Sequence, residues 1–167
     1  MRQVIRKNGK IYEGLSLNGI ANQIASSLRC FHENKGTSND CQLTINPLVR
    51  AYHAMIIREW GIVLPATPLA KETRNKGKSA IREHRIPTHA VVCLLMYIDP
   101  KDDSETETFD IRVKKVLDST FKMAWVVKDE HEKLNRKYMH SLPIDHESTL
   151  EELAIRRYKE CDVPEPN

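Results

Sequence analysis

The chain has 167 residues, 40% of them hydrophobic and 29% charged, with a formal net charge of +3. A fold of that length buries roughly 70% of the surface its unfolded chain exposes, so it needs neither disulfides nor a structural metal to hold one domain together. The net charge is too small to identify a nucleic-acid binder by itself, and the longest apolar runs, IVLP and AVVCLLMYI, fall far short of the ~20 residues of a membrane-spanning helix.

In chain order, RQVIRKNGKIYEG places Asn8-Gly9 between two runs of extended character. Asn-Gly favours the positive φ angles of a two-residue hairpin turn, which predicts strands over 2–7 and 10–13. From Ser16 the period changes. Leu17, Ile20, Ala21, Ile24, Ala25, Leu28 and Phe31 form one helical face, with Ser16 as its cap and Gly36 beyond its end. ENKGTSND reads as a polar loop. In NPLVRAYHAMIIREWG, Asn46 reads as an N-cap, Pro47 as the first helical residue and Gly61 as the exit. IVLPATP is expected to run extended, because Pro65 and Pro68 deny it a helix.

A basic segment ends at Pro87. The apolar run over 90–98 then predicts a strand buried on both faces. DPKDDSETET turns the chain, FDIRVKKV alternates as a half-buried strand, and STFKMAWVV supplies a third strand over 121–127. These three are expected to form an antiparallel meander. Asp129 to His140 reads as a helix, and Ser148-x-x-Glu151 as the capping box of another. The expected fold is one α+β domain over 1–160. Its antiparallel sheet, an N-terminal hairpin plus the central meander, is packed by two early helices and followed by two C-terminal ones. Residues 161–167, CDVPEPN, are expected to be a flexible tail.

Little in the sequence suggests catalysis. Cys30, Cys41, Cys93 and Cys161 are scattered with no C-x-x-C spacing, which points to a soluble, intracellular protein in a reducing compartment. His84 and His89 have no cysteine at ligand spacing, and His131, His140 and His146 lie in a polar helical region. G-x-S-x-G, P-loop and G-x-G-x-x-G patterns are absent. Asp99, Asp110 and Lys114 could sit on strand ends like a nuclease site, but Asp110-Ile111-Arg112 lacks the acid-x-Lys order. The expectation is therefore no enzyme, no metal and no cofactor.

Charge distribution says more than total charge. KETRNKGKSAIREHR carries Lys71, Arg74, Lys76, Lys78, Arg82 and Arg85 against two Glu. The N-terminus adds Arg2, Arg6, Lys7 and Lys10. Both sets are candidate binders of phosphates. Gly77 and the lack of aromatics in the segment suggest flexible contact with a phosphate backbone rather than base stacking. The acidic stretch from Asp99 to Asp110, with Asp102, Asp103, Glu105 and Glu107, is a candidate self-association surface, since a contact with the basic segment of a neighbouring copy would propagate.

VIRKNGKIY, SLNGIANQIASSL, NPLVRAYHAMIIREWG and AVVCLLMYIDPKDDSETETFDIRV follow one another in an order that resembles the matrix proteins of rhabdoviruses, by size a plant-infecting member. The resemblance spans roughly residues 4–127. It rests on element order, on an Arg-x-Asn turn feeding a Ser-started helix, and on a strand breaking into an acidic turn. It implies a non-catalytic α+β domain that self-associates, condenses a viral nucleocapsid and meets anionic membrane through basic surface. Such a protein would reside in the virion and in the host cytoplasm, at the membrane periphery, with the nucleus and host factors as further destinations. The Pro-Pro-x-Tyr budding motif of that family is missing, LPATPLA being the nearest stretch. Two other classes stand beside it: a small viral or phage regulator binding nucleic acid or a host protein through 71–85, and a metal-dependent nuclease.

Overall fold

A computed structural model describes residues 4–7, 10–13, 16–33, 35–102, 107–139, 141–142 and 148–167. At the N-terminus, β1 (Val4–Lys7) pairs antiparallel with β2 (Lys10–Glu13), and Lys7 faces Lys10. That register leaves two residues for the connection, as the Asn-Gly signal predicts; Asn8 and Gly9 themselves lie outside the described residues. Helix α1 (Leu17–His32) starts where Ser16 Oγ accepts a hydrogen bond from the Gly19 backbone N–H at 3.0 Å. It buries Ile20, Ala21, Ile24, Ala25 and Leu28, the face its spacing predicts.

Helix α2 (Ser38–Glu59) corrects the expected start at Asn46. Thr37 is the true cap. Its Oγ1 accepts from the Asp40 N–H at 3.1 Å, and the Asp40 carboxylate accepts from the Thr37 N–H at 3.2 Å. Pro47 lies inside the helix, where it has no N–H to offer the carbonyl four residues back. The helix survives because one apolar stripe crosses the proline: Cys41, Ile45, Val49, Tyr52 and Ile56 are all buried. Past the C-cap Trp60, Gly61 takes φ +60° and ends the helix, as expected.

The expected sheet-rich centre is overturned. Residues 90–98 do not form a strand; α4 (Thr88–Met96) occupies the run. Its Val91, Val92 and Leu95 are buried, while Leu94 and Tyr97 reach solvent. Nor is FDIRVKKV a strand. It begins α5 (Phe109–Ser119), which buries Phe109, Val113 and Leu117, a four-residue step along one helical face. Helices α1, α2, α4 and α5 pack around the main core. The acidic turn therefore joins two helices, and the expected meander does not form.

The central strand pair has a different origin. After α3 (Pro68–Asn75), β3 (Ile81–His84) pairs antiparallel with β4 (Met123–Val126), with Arg82 opposite Trp125 and His84 opposite Met123. The chain leaves through α4 and α5 between the two strands. Helix α6 (Lys128–Tyr138) and α7 (Leu150–Glu160) complete the described helices, seven among the described residues. The capping box of α7 is Thr149 with Glu152, one residue later than the sequence pattern suggested. Val126, Leu134, Tyr158, Cys161 and Val163 form a second, smaller buried cluster beside the first. Residues 161–167 are not free at their far end: the backbones of Asn167 and Ala66 exchange hydrogen bonds of 3.3 and 3.4 Å. The described chain is thus mainly helical, with two short strand pairs.

Candidate polyanion-binding face

The basic segment is not a loop. Thr67 starts α3: its Oγ1 accepts from the Ala70 N–H at 3.2 Å and donates to Glu130 Oε2 at 2.7 Å. The Trp125 N–H donates to the Pro65 carbonyl at 2.8 Å, and the Thr67 N–H to the Trp125 carbonyl at 3.0 Å. These bonds lay the start of α3 against β4. The helix ends at Lys76, and Gly77 takes φ +70°, a left-handed conformation that glycine adopts without strain. The Gly77 and Lys78 N–H groups donate back to Arg74 and Thr73 carbonyls at 2.9 and 3.0 Å, closing the turn into β3.

In β3 the side chains alternate, Arg82 exposed and Glu83 buried. Arg82 therefore points outward beside its cross-strand partner Trp125, whose indole is half-buried. The Arg74 guanidinium lies 4.5 Å from the centre of that ring and Arg82 5.7 Å from it. Each such contact contributes about 0.5–1 kcal/mol at an exposed site and holds the guanidinium in place. Among the described residues neither arginine pairs with a carboxylate. Lys78 is exposed just past the turn. Lys71 Nζ donates to the side-chain Oδ1 of Asn167 at 2.7 Å and forms no salt bridge among the described residues. Lys76 pairs with Glu72 one turn earlier in the chain, which holds the Glu72 carboxyl below its ordinary range.

Arg85 stands apart from this face. It is 8% exposed, and its Nη2 meets Glu151 at 3.1 Å and Glu165 at 3.2 Å. Its charge is answered inside the molecule. The N-terminal candidates are less defined: Arg2 lies outside the described residues, and for Arg6, Lys7 and Lys10 only the strand backbone is described.

The acidic candidates are dispersed. Asp99 Oδ1 accepts from the Lys101 N–H at 2.9 Å, Glu107 pairs with Lys115 at 2.5 Å, and Asp110 pairs with Arg29 of α1. Asp102 is exposed, while Asp103 and Glu105 lie outside the described residues. Among the described residues no ion pair joins this segment to 71–85. Of the nuclease-like trio, Lys114 pairs with Asp118 at 2.5 Å and Asp110 with Arg29. A groove of about 620 Å³ between α1 and α2 is lined by Ser26, Cys30, Phe31, Thr37 and Thr44 and holds no cluster of unpaired charge.

Beneath the basic face lies a buried ionic network that the sequence did not reveal. Glu83, 6% exposed, accepts from Arg157 Nη2 at 2.8 Å through Oε1 and from His131 Nδ1 at 2.6 Å through Oε2. Arg157, 1% exposed, also donates to the His84 carbonyl at 2.7 Å. His131 Nε2 then accepts from Asn135 Nδ2 at 2.9 Å. This network ties β3 to α6 and α7 and fixes the strand that presents Arg82. Trp125 was the other omission. Only the β3–β4 register, invisible in one-dimensional spacing, brings an aromatic ring to a segment that has none of its own.

Comparison with protein-family models, curated proteins and solved structures returns no match to this chain.

Proposed function

We propose that this chain is a non-enzymatic protein that binds phosphate-bearing polyanions through the face built by α3, the Gly77 turn and β3. The observation that carries the proposal is the pair Arg74 and Arg82, held against Trp125 without a carboxylate partner among the described residues. Guanidinium groups fixed in this way keep their N–H donors available to phosphate oxygens. Lys71 and Lys78 add charge at the margins. The proposal does not lean on the matrix resemblance, because the apolar strand that supported it is helix α4. Among the described residues no helix is long and apolar enough to cross a membrane.

Replacing Arg74, Lys76, Lys78 and Arg82 with Glu tests the reading; Arg85 is left intact because it belongs to the folded interior. Binding of the parent to linear polyphosphate and to single-stranded RNA is expected to fall steeply with salt, the RNA slope approaching about 0.7 per phosphate neutralised. The quadruple variant is expected to lose both while remaining folded, destabilised by about 1–2 kcal/mol as the two cation–π contacts go, since exposed ion pairs add only about 0–1 kcal/mol each. A folded quadruple variant that binds as the parent does overturns the proposal.

A further inference from the structure

We infer that Trp125 makes this face a site for single-stranded nucleic acid, in which an unpaired base stacks on the layered Arg74 guanidinium and indole while Lys78 and Arg82 hold the flanking phosphates. The inference rests on the proposed polyanion reading and narrows its ligand. Arg74 lies over the ring at 4.5 Å yet remains an exposed residue, so a guanidinium plane backed by an aromatic ring is presented outward. Unpaired bases stack on such planes as they do on aromatic faces. Trp125 itself is only half-buried, with the Arg82 guanidinium 5.7 Å from its ring centre.

The platform is rigid. Both backbone polar groups of Trp125 bond to the segment before α3, and β3 pairs with its other side. A platform built on strands presents its ring with less loss of side-chain freedom on binding than a loop would. Duplex nucleic acid keeps its bases stacked on one another, and polyphosphate has none, so neither can use the ring. A bilayer offers phosphates but no π face of matching shape. Of these polyanions, only the single strand supplies both chemistries that the face displays.

The experiment measures binding of the full chain at fixed salt to three probes: a short oligothymidylate, the same strand annealed to its complement, and polyphosphate of matched charge. Oligothymidylate is expected to bind roughly 5- to 150-fold tighter than the other two, the range that the roughly 1–3 kcal/mol of one stacked base supplies. Trp125→Leu should weaken oligothymidylate binding by a comparable factor and polyphosphate binding much less, whereas Trp125→Phe should retain most of the preference. In a Trp60→Phe background, oligothymidylate should quench the remaining tryptophan fluorescence and polyphosphate should not. Leucine keeps an apolar side chain in β4, and a cooperative unfolding transition certifies the variant; if Trp125→Leu does not fold, the quenching measurement in Trp60→Phe serves, and fluorescence unchanged by oligothymidylate there overturns the inference. Equal affinity for all three probes, or a folded Trp125→Leu that keeps the parent's preference, overturns the stacking inference. If Arg74→Glu with Arg82→Glu still abolishes polyphosphate binding in that case, the broader reading stands. If that pair changes nothing, both fall.

Discussion

His53 is fully buried in α2, and its Nε2 donates to the Leu117 carbonyl at 3.1 Å. Among the described residues its Nδ1 has no partner, and neither has Nε2 of His84, whose ring centre lies 5.4 Å away. Burial disfavours the charged form of each, lowering His53 to about 4 and His84 to about 3, with the neighbouring imidazole adding to the effect on His84. Both values lie below the ordinary 6.5 of an unfolded histidine. The unfolded chain therefore binds protons that the folded chain refuses, and stability present above pH 6.5 is lost as pH falls toward 4. Between pH 7 and pH 5 each histidine should remove about 2 kcal/mol. Urea unfolding at the two pH values checks this. His84→Leu should roughly halve the pH dependence, and an unchanged dependence in that variant would sink the assignment. Carboxylates held low by their partners, such as Asp40 at the α2 cap, act only at lower pH and leave this window to the histidines. The sequence places these two histidines 31 positions apart, with no sign that they meet. Glu83 and Arg157, 74 positions apart, are farther still. Side chains that face each other across long loops leave no periodic trace.

At the level of elements, legibility followed the kind of signal. The hairpin, α1 and the vicinity of α7 were readable because a turn dipeptide, a clean helical stripe or a capping pattern marks each; β4 showed as a short apolar run, and α6 as a helix whose cap is Val127, two residues before Asp129. Residues 90–98 misled because a short, wholly apolar run lacks any polar side to reveal its period. For residues 109–117 the cue was present: Phe109, Val113 and Leu117 step by four, and the apparent alternation through Ile111 points at a residue 44% exposed. Asn46-Pro47 imitated a helix start in mid-helix. The cap assignments can be separated directly. Thr37→Ala should cost about 1 kcal/mol, the usual loss for an N-cap. Asn46→Ala should be neutral or slightly stabilising. Its Oδ1 is buried without a partner among the described residues, and alanine is the better residue inside a helix. Paired unfolding midpoints distinguish the two, and a larger loss at Asn46 would contradict the helix start at Ser38.

On the scale of the whole molecule, a four-helix core carries a smaller unit of β3, β4, α6, α7 and the C-terminal segment. The candidate face lies on the smaller unit. Its basic content was legible in the sequence, since Lys71, Arg74, Lys78 and Arg82 fall within one short stretch. Its shape was not, because Trp125 arrives from strand β4 some 40 residues later and Arg85 turns inward to Glu151 and Glu165. The central claim is that bound polyanion rests on α3, the Gly77 turn and β3. Backbone amide chemical shifts of the full chain, recorded as polyphosphate is added, test it most directly. The largest shifts are predicted for Lys71 to Arg82 and for Trp125, reversed by added salt. Shifts centred instead on the α1–α2 groove, or spread evenly over exposed lysines throughout the chain, would contradict the account.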